Sequence, residues 1–135
     1  MSSLSENLAK AEGYLAKVQE TGVLNQIDGK SVRSCLTFAV QMEGRVVDTV
    51  ESLADKETGE LSDLQKAFRK HHGLQCGYCT PGILMSVEYF LEVNPKPNEE
   101  EIREMLSGHI CRCTGYHHIN NSIEASAKQC CKEEK

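Results

Sequence analysis

The stretch QCGYCTPG, Gln75 to Gly82, decides how this chain is read, together with its counterpart GHICRCTGY, Gly108 to Tyr116. Each holds a tight cysteine pair, Cys76/Cys79 and Cys111/Cys113, next to glycines and a helix signal. Thr80-Pro81 reads as a cap followed by proline at a first helical position, and Ile83, Leu84, Val87, Phe90 and Leu91 form an apolar stripe that stops at Asn94-Pro95. On the other side, Ser62 with Gln65 forms a capping box that opens a helix running to about His72, with Leu64 and Phe68 facing inward and Gly73 as its stop. The first cysteine pair is therefore expected in a loop between two helices.

The same logic places the second pair. Asn98 with Glu101 opens a helix whose Ile102, Met105 and Leu106 point inward and which Gly108 ends. The acidic run Glu99-Glu100-Glu101 suits the positive end of that helix. After CRCTG a last helix carries Ile119, Ile123 and Ala127 at intervals of four. Upstream, Asp28-Gly29 is a turn signal, Ser34 to Glu43 carries Leu36, Ala39 and Val40 on one helical face closed by Gly44, and Val46, Val47 and Val50 read as extended. Leu8, Ala11, Leu15 and Val18 make Ser5 to Gln19 a short amphipathic helix. The fold class expected is mainly α: a compact bundle of about four helices with the cysteines at one end and an extra N-terminal amphipathic helix. The expected divisions are residues 1–30 as N-terminal helix and linker, 31–129 as the helical domain, and 130–135 as a polar tail.

Composition narrows the function. The chain has 135 residues, 15 basic against 20 acidic side chains and a net charge of -5, without a long block of like charges, so nucleic acid is not an expected partner. No apolar run approaches the ~20 residues of a membrane span, and the first residues lack the pattern of an export signal. The expected location is cytoplasmic. There the reducing environment argues against a disulfide framework for the seven cysteines and for metal-binding or catalytic use. Four thiolates suit tetrahedral zinc or an iron-sulfur cluster. The single residue between Cys111 and Cys113 is tight for two ligands on one zinc, whereas in a 2Fe-2S cluster each pair can serve one of two irons. Gly77, Gly108 and Gly115 permit positive φ or close backbone approach near the sulfurs. No nucleophile and base constellation, phosphate loop or paired carboxylates stand out.

QCGYCTPG, NPKP, EEIREMLSGHICRCTGY and HHIN, with DGKSVRSCLTFA, GRVVDTVESL and LQKAFRKHHGLQCGYC upstream, closely resemble the helical 2Fe-2S domain of the small iron-sulfur subunits of molybdenum hydroxylases, the xanthine dehydrogenase, aldehyde oxidase and aerobic carbon monoxide dehydrogenase group. The resemblance covers roughly residues 22–127. It implies one 2Fe-2S cluster on Cys76, Cys79, Cys111 and Cys113, with Gln75 contacting the pterin of a molybdenum cofactor in a large partner subunit and Cys113 beside the pterin amino group. It implies an electron-transfer subunit of a molybdenum-dependent oxidoreductase, with a flavin or ferredoxin-like subunit as a further partner. The alternative is a stand-alone iron-sulfur redox or iron-sensing module.

The sequence also departs from that family. Its members carry a plant-type ferredoxin domain with a C-x4-C-x2-C run and a fourth ligand in SCL. Cys35 matches that fourth ligand, but no cysteine precedes it here. The expectation is one cluster, with Cys35 packed as a small apolar side chain; a ligand completed by a partner chain is the alternative. Cys130-Cys131 reads as free thiols in a polar tail. His71-His72 and His117-His118 read as surface or cap residues, and Arg112 and Lys70 could offset the charge of the cluster.

Overall fold

A computed structural model describes residues 24–130 of the chain. The expected Ser5–Gln19 helix and the 131–135 part of the tail lie outside these residues. Asp28 and Gly29 both adopt left-handed backbone, φ +50° and +75°, the geometry that a two-residue hairpin turn demands. They join β1 (Leu24–Ile27) to β2 (Lys30–Arg33) in an antiparallel register pairing Leu24 with Arg33 and Ile27 with Lys30. A short β3 (Val47–Asp48) pairs with the other edge of β1, giving the order β2-β1-β3. Asp28 closes this corner, accepting hydrogen bonds from Arg45 Nη1 at 2.7 Å and Val46 N at 3.0 Å. The sheet runs across the expected boundary at residue 30.

The helix expected over residues 34–43 is instead two single turns, Ser34–Leu36 and Ala39–Met42, separated by extended backbone at Thr37 and Phe38. Local side chains satisfy the polar groups there without a helical ladder: Thr37 Oγ1 donates to Arg33 O at 3.0 Å, and Gln41 Oε1 accepts from Phe38 N at 3.0 Å. Leu36 and Val40 are consequently 76 % and 81 % exposed. Val47 is extended as expected, whereas Val50 starts another single turn, Val50–Leu53.

Four α-helices follow: α1 (Asp63–Lys70), α2 (Thr80–Val93), α3 (Glu99–Leu106) and α4 (His117–Cys130). Both expected capping boxes form. Gln65 N donates to Ser62 Oγ while Ser62 N donates to Gln65 Oε1; Asn98 and Glu101 exchange the same bonds at the start of α3. Leu64 and Phe68 of α1, Ile83, Leu84 and Val87 of α2, Ile102 and Leu106 of α3, and Ile119 and Ile123 of α4 make one buried core. Each such side chain contributes on the order of 1.5–3 kcal/mol by leaving water. The sheet rests on α2, where Gln26 Nε2 donates to Met85 O at 3.3 Å. The mainly α expectation holds, and the three-stranded sheet is an addition to it. Among the described residues no helix is long and apolar enough to cross a membrane.

Candidate metal centre

The loop between α1 and α2 leaves α1 through a left-handed residue, His72 at φ +58°, with Gly73 N donating to Phe68 O at 2.8 Å. Gly73 is thus needed for space rather than for the turn: a Cβ on it would lie 2.5 Å from Ser122 Oγ and 2.9 Å from Phe68 Cδ1. That close approach sets the loop against α4. Gly77 then turns the chain at φ +82°, and Thr80 N donates to Gly77 O at 3.2 Å. Cys79, rather than Thr80, occupies the cap position of α2, so the helix begins one residue earlier than the Thr-Pro signal suggested. Gln75 and Cys76 are exposed on this loop and Cys79 is half-buried.

The loop between α3 and α4 is held by its own side chains. Cys111 N donates to Tyr116 Oη at 2.9 Å, and Tyr116 Oη donates to His109 O at 2.9 Å. Tyr116 N donates to Thr114 Oγ1 at 3.1 Å, and that oxygen lies 3.1 Å from Cys111 Sγ. Gly115 and Tyr116 are both left-handed, at φ +59° and +66°, which folds the Tyr116 amide back onto Thr114. Gly108 keeps ordinary backbone; Arg33 of β2 reaches its carbonyl at 3.3 Å and ties the loop to the sheet. Thr114 and Tyr116 lie within CRCTGY but are not singled out by the cysteine spacing. A threonine whose hydroxyl takes the amide two residues on is a recognisable turn former, and that was the available signal.

Both loops emerge at the same end of the bundle and bring the four thiols together. The pairing is crosswise: Cys76 Sγ stands 3.5 Å from Cys113 Sγ, and the Cys79 thiol faces that of Cys111. The two cysteines of each motif are therefore not the facing pairs, contrary to the expectation from spacing. Two sulfurs on one tetrahedral metal at about 2.3 Å are roughly 3.8 Å apart, so the Cys76–Cys113 separation fits a shared metal ion. Four soft thiols in two facing pairs are a donor set that matches a two-iron cluster.

The thiols differ in their electrostatics. The Tyr78 backbone amide, followed by the Cys113 side chain, lowers the Cys76 pKa, while its neighbour Cys76 raises that of Cys113. Burial, then the facing Cys111, pushes Cys79 up to about 11. Burial works against ionisation of Cys111 as well, but hydrogen bonds from the Thr114 hydroxyl and backbone, the Cys113 backbone and the Cys79 side chain outweigh it and bring the thiol down to about 7.

The remaining candidates lie apart from this arrangement or at its rim. Cys35 is exposed on the Ser34–Leu36 turn, so it does not pack as the small apolar side chain expected; the short turn leaves it pointing away from the core. His72, His117, His118, Lys70 and Arg112 are exposed. The side chains of Cys130 and Cys131 lie outside the described residues.

Comparison with known proteins adds three findings. The family described as 2Fe-2S binding domain matches residues 49–124. The nicotine 6-hydroxylase small subunit of Paenarthrobacter nicotinovorans is 56% identical over 97 residues, covering 72% of this chain and 57% of that protein, and caffeine dehydrogenase subunit gamma of Pseudomonas sp. (strain CBB1) is 50% identical over 103 residues, covering 74% and 60%. The chain thus spans less than two thirds of the length of these curated relatives. Among solved structures, quinoline 2-oxidoreductase from Pseudomonas putida 86 superposes with a TM-score of 0.74 at 46% identity, covering 83% of this chain and 69% of that one.

Proposed function

The chain belongs to the 2Fe-2S binding domain family of the molybdenum hydroxylases, and from that premise we propose that it is an electron-transfer subunit of a molybdenum-dependent oxidoreductase, working in the cytoplasm. In this reading Cys76, Cys79, Cys111 and Cys113 would hold one 2Fe-2S cluster between the two loops. The observation that carries it is the meeting of four thiols from two loops in facing pairs, one at 3.5 Å. A cluster bound there accepts and releases electrons one at a time.

The chain's own residues have three tasks in this scheme. The four cysteines supply thiolates, and Cys111, with its pKa already near 7, gives up its proton most readily of the two inward-facing thiols. Gln75, exposed beside Cys76, is free to meet the pterin of a molybdenum cofactor in a large partner subunit, and exposed Cys113 lies on the same rim. The helical core keeps the two loops in register so that little rearrangement accompanies electron movement. Substrate chemistry belongs to the partner, and the electrons leave to a flavin or ferredoxin-like subunit.

The test is metal analysis and visible spectroscopy of the full chain purified anaerobically from its native source with whatever accompanies it. Iron with the red-brown absorption of a 2Fe-2S centre, and molybdenum in a larger companion, is the expected result. Cys35→Ser leaves the iron content and spectrum unchanged under this reading. Zinc in a colourless chain sinks it, and iron without any molybdenum-bearing companion removes the enzyme assignment while keeping the cluster.

A further inference from the structure

The four thiols are not equivalent. Cys76 and Cys113 are exposed, whereas Cys111 is buried, at 9 % exposure, with the Thr114 hydroxyl 3.1 Å from its sulfur. We propose that Thr114 is a positioning and tuning residue of the metal centre: its hydroxyl donates a hydrogen bond to the Cys111 thiolate, and that bond raises the reduction potential of the cluster. The inference rests on the reading of Cys111 as a cluster ligand.

The direction of the bond follows from proton counting. Thr114 Oγ1 already accepts the Tyr116 amide at 3.1 Å, so its own hydrogen is left to point elsewhere. A metal-bound thiolate carries no proton, so between the two atoms only the hydroxyl can donate. Its orientation is not left to a free rotor. Gly115 and Tyr116, both left-handed, return the amide onto Thr114, and the Tyr116 hydroxyl is itself fixed between Cys111 N and His109 O, at 2.9 Å each. The loop therefore binds its cysteine twice, once through the amide and once through the sulfur.

The sign of the effect follows from charge. Adding an electron makes the thiolates more negative, so a donor aimed at one of them favours the reduced state. Burial strengthens the bond, because little water competes for the sulfur and the local dielectric is low. Tyr78 N–H acts on Cys76 from the exposed side, where solvent screens it.

The experiment compares wild type with Thr114→Val, Thr114→Ala and Thr114→Ser in the full, anaerobically purified chain. It measures iron per chain, the melting temperature of the metal-free form, and the midpoint potential by titration followed through the reduced-state electron paramagnetic resonance signal. The expected result is normal iron, a potential shifted negative in Thr114→Val and Thr114→Ala, and its return toward wild type in Thr114→Ser. A wild-type potential in whichever hydroxyl-free variant loads iron overturns the inference while leaving the cluster reading intact. A wild-type chain without an iron-sulfur signal overturns that reading and the inference with it. If neither hydroxyl-free variant loads, loading of Thr114→Ser supports the hydroxyl's role; failure of all three with unchanged metal-free melting assigns the site to side-chain bulk and overturns it.

Discussion

Two loops carry the four thiols, and they are held by different means. Residues 71–79 are shaped by the path of the backbone: a left-handed His72, a glycine pressed against Phe68 and Ser122, a second glycine at φ +82°, and Cys79 seated at the cap of α2. Residues 107–116 are shaped by hydroxyl groups, with Thr114 and Tyr116 each bonding to Cys111 and the Tyr116 amide donating to the Thr114 hydroxyl. The first arrangement fixes where the thiols are and leaves Cys76 open to solvent. The second fixes the position of Cys111 and its electrostatic state as well. A loop built on backbone geometry is vulnerable to added volume, and a loop built on side-chain bonds is vulnerable to the loss of a single oxygen.

The sharpest way to test the contrast is at the metal. Cys111→Ser, purified anaerobically, is expected to fall from full iron loading to near zero, since both loops must contribute; iron content near wild type breaks the four-thiol assignment. Next in size is Gly73→Ala. Its Cβ at 2.5 Å from Ser122 Oγ overpacks the α1–α4 contact, costing roughly 1–3 kcal/mol of metal-free stability by chemical unfolding. An unchanged midpoint there means the glycine is not needed for space.

Tyr116→Phe probes the other loop without adding volume. It leaves Cys111 N–H and His109 C=O without their shared partner, an expected loss of about 1–2 kcal/mol measured in the same way. Gly77→Ala gives a further test of the backbone-shaped loop. Nothing lies within 4 Å of the added Cβ, so the loss is conformational only, about 1 kcal/mol for a non-glycine residue held left-handed. If Gly77→Ala costs more than Gly73→Ala, strain rather than packing governs that loop.

The smallest effect serves as a control away from both loops. Burial, then the nearby Glu92, raises the pKa of Glu88 on α2 above its ordinary 4.5. The folded chain then holds this proton more tightly than the unfolded one, so stability falls as pH rises from 4.5 through the raised value. Glu88→Gln is expected to melt with wild type at low pH and progressively above it as the pH increases. A melting gap independent of pH excludes this cause.

Much of the fold was legible residue by residue. Ser62/Gln65 and Asn98/Glu101 marked their helices because a capping box is a local exchange of two bonds, and Ile119, Ile123 and Ala127 marked the buried face of α4 by spacing alone. Residues 34–43 were not legible, because Leu36, Ala39 and Val40 imitate a helical stripe while Thr37 and Gln41 satisfy the backbone locally. Gly73 resembles a helix stop in the sequence, but His72 makes the turn and Gly73 makes room for α4. The cysteines drew attention through their spacing, yet spacing suggested partners within each motif, and the facing thiols are crosswise.

By itself the sequence determined the helical periods, the caps and the four thiols, because each of these depends on residues within a few positions of one another. Only the tertiary structure decided which thiol meets which, which cysteine is buried, and that Thr114 and Tyr116 enclose Cys111. Those relations depend on how α1 and α4 pack and where two loops emerge together, and a distance between residues far apart in the chain is set by the sum of all the packing between them.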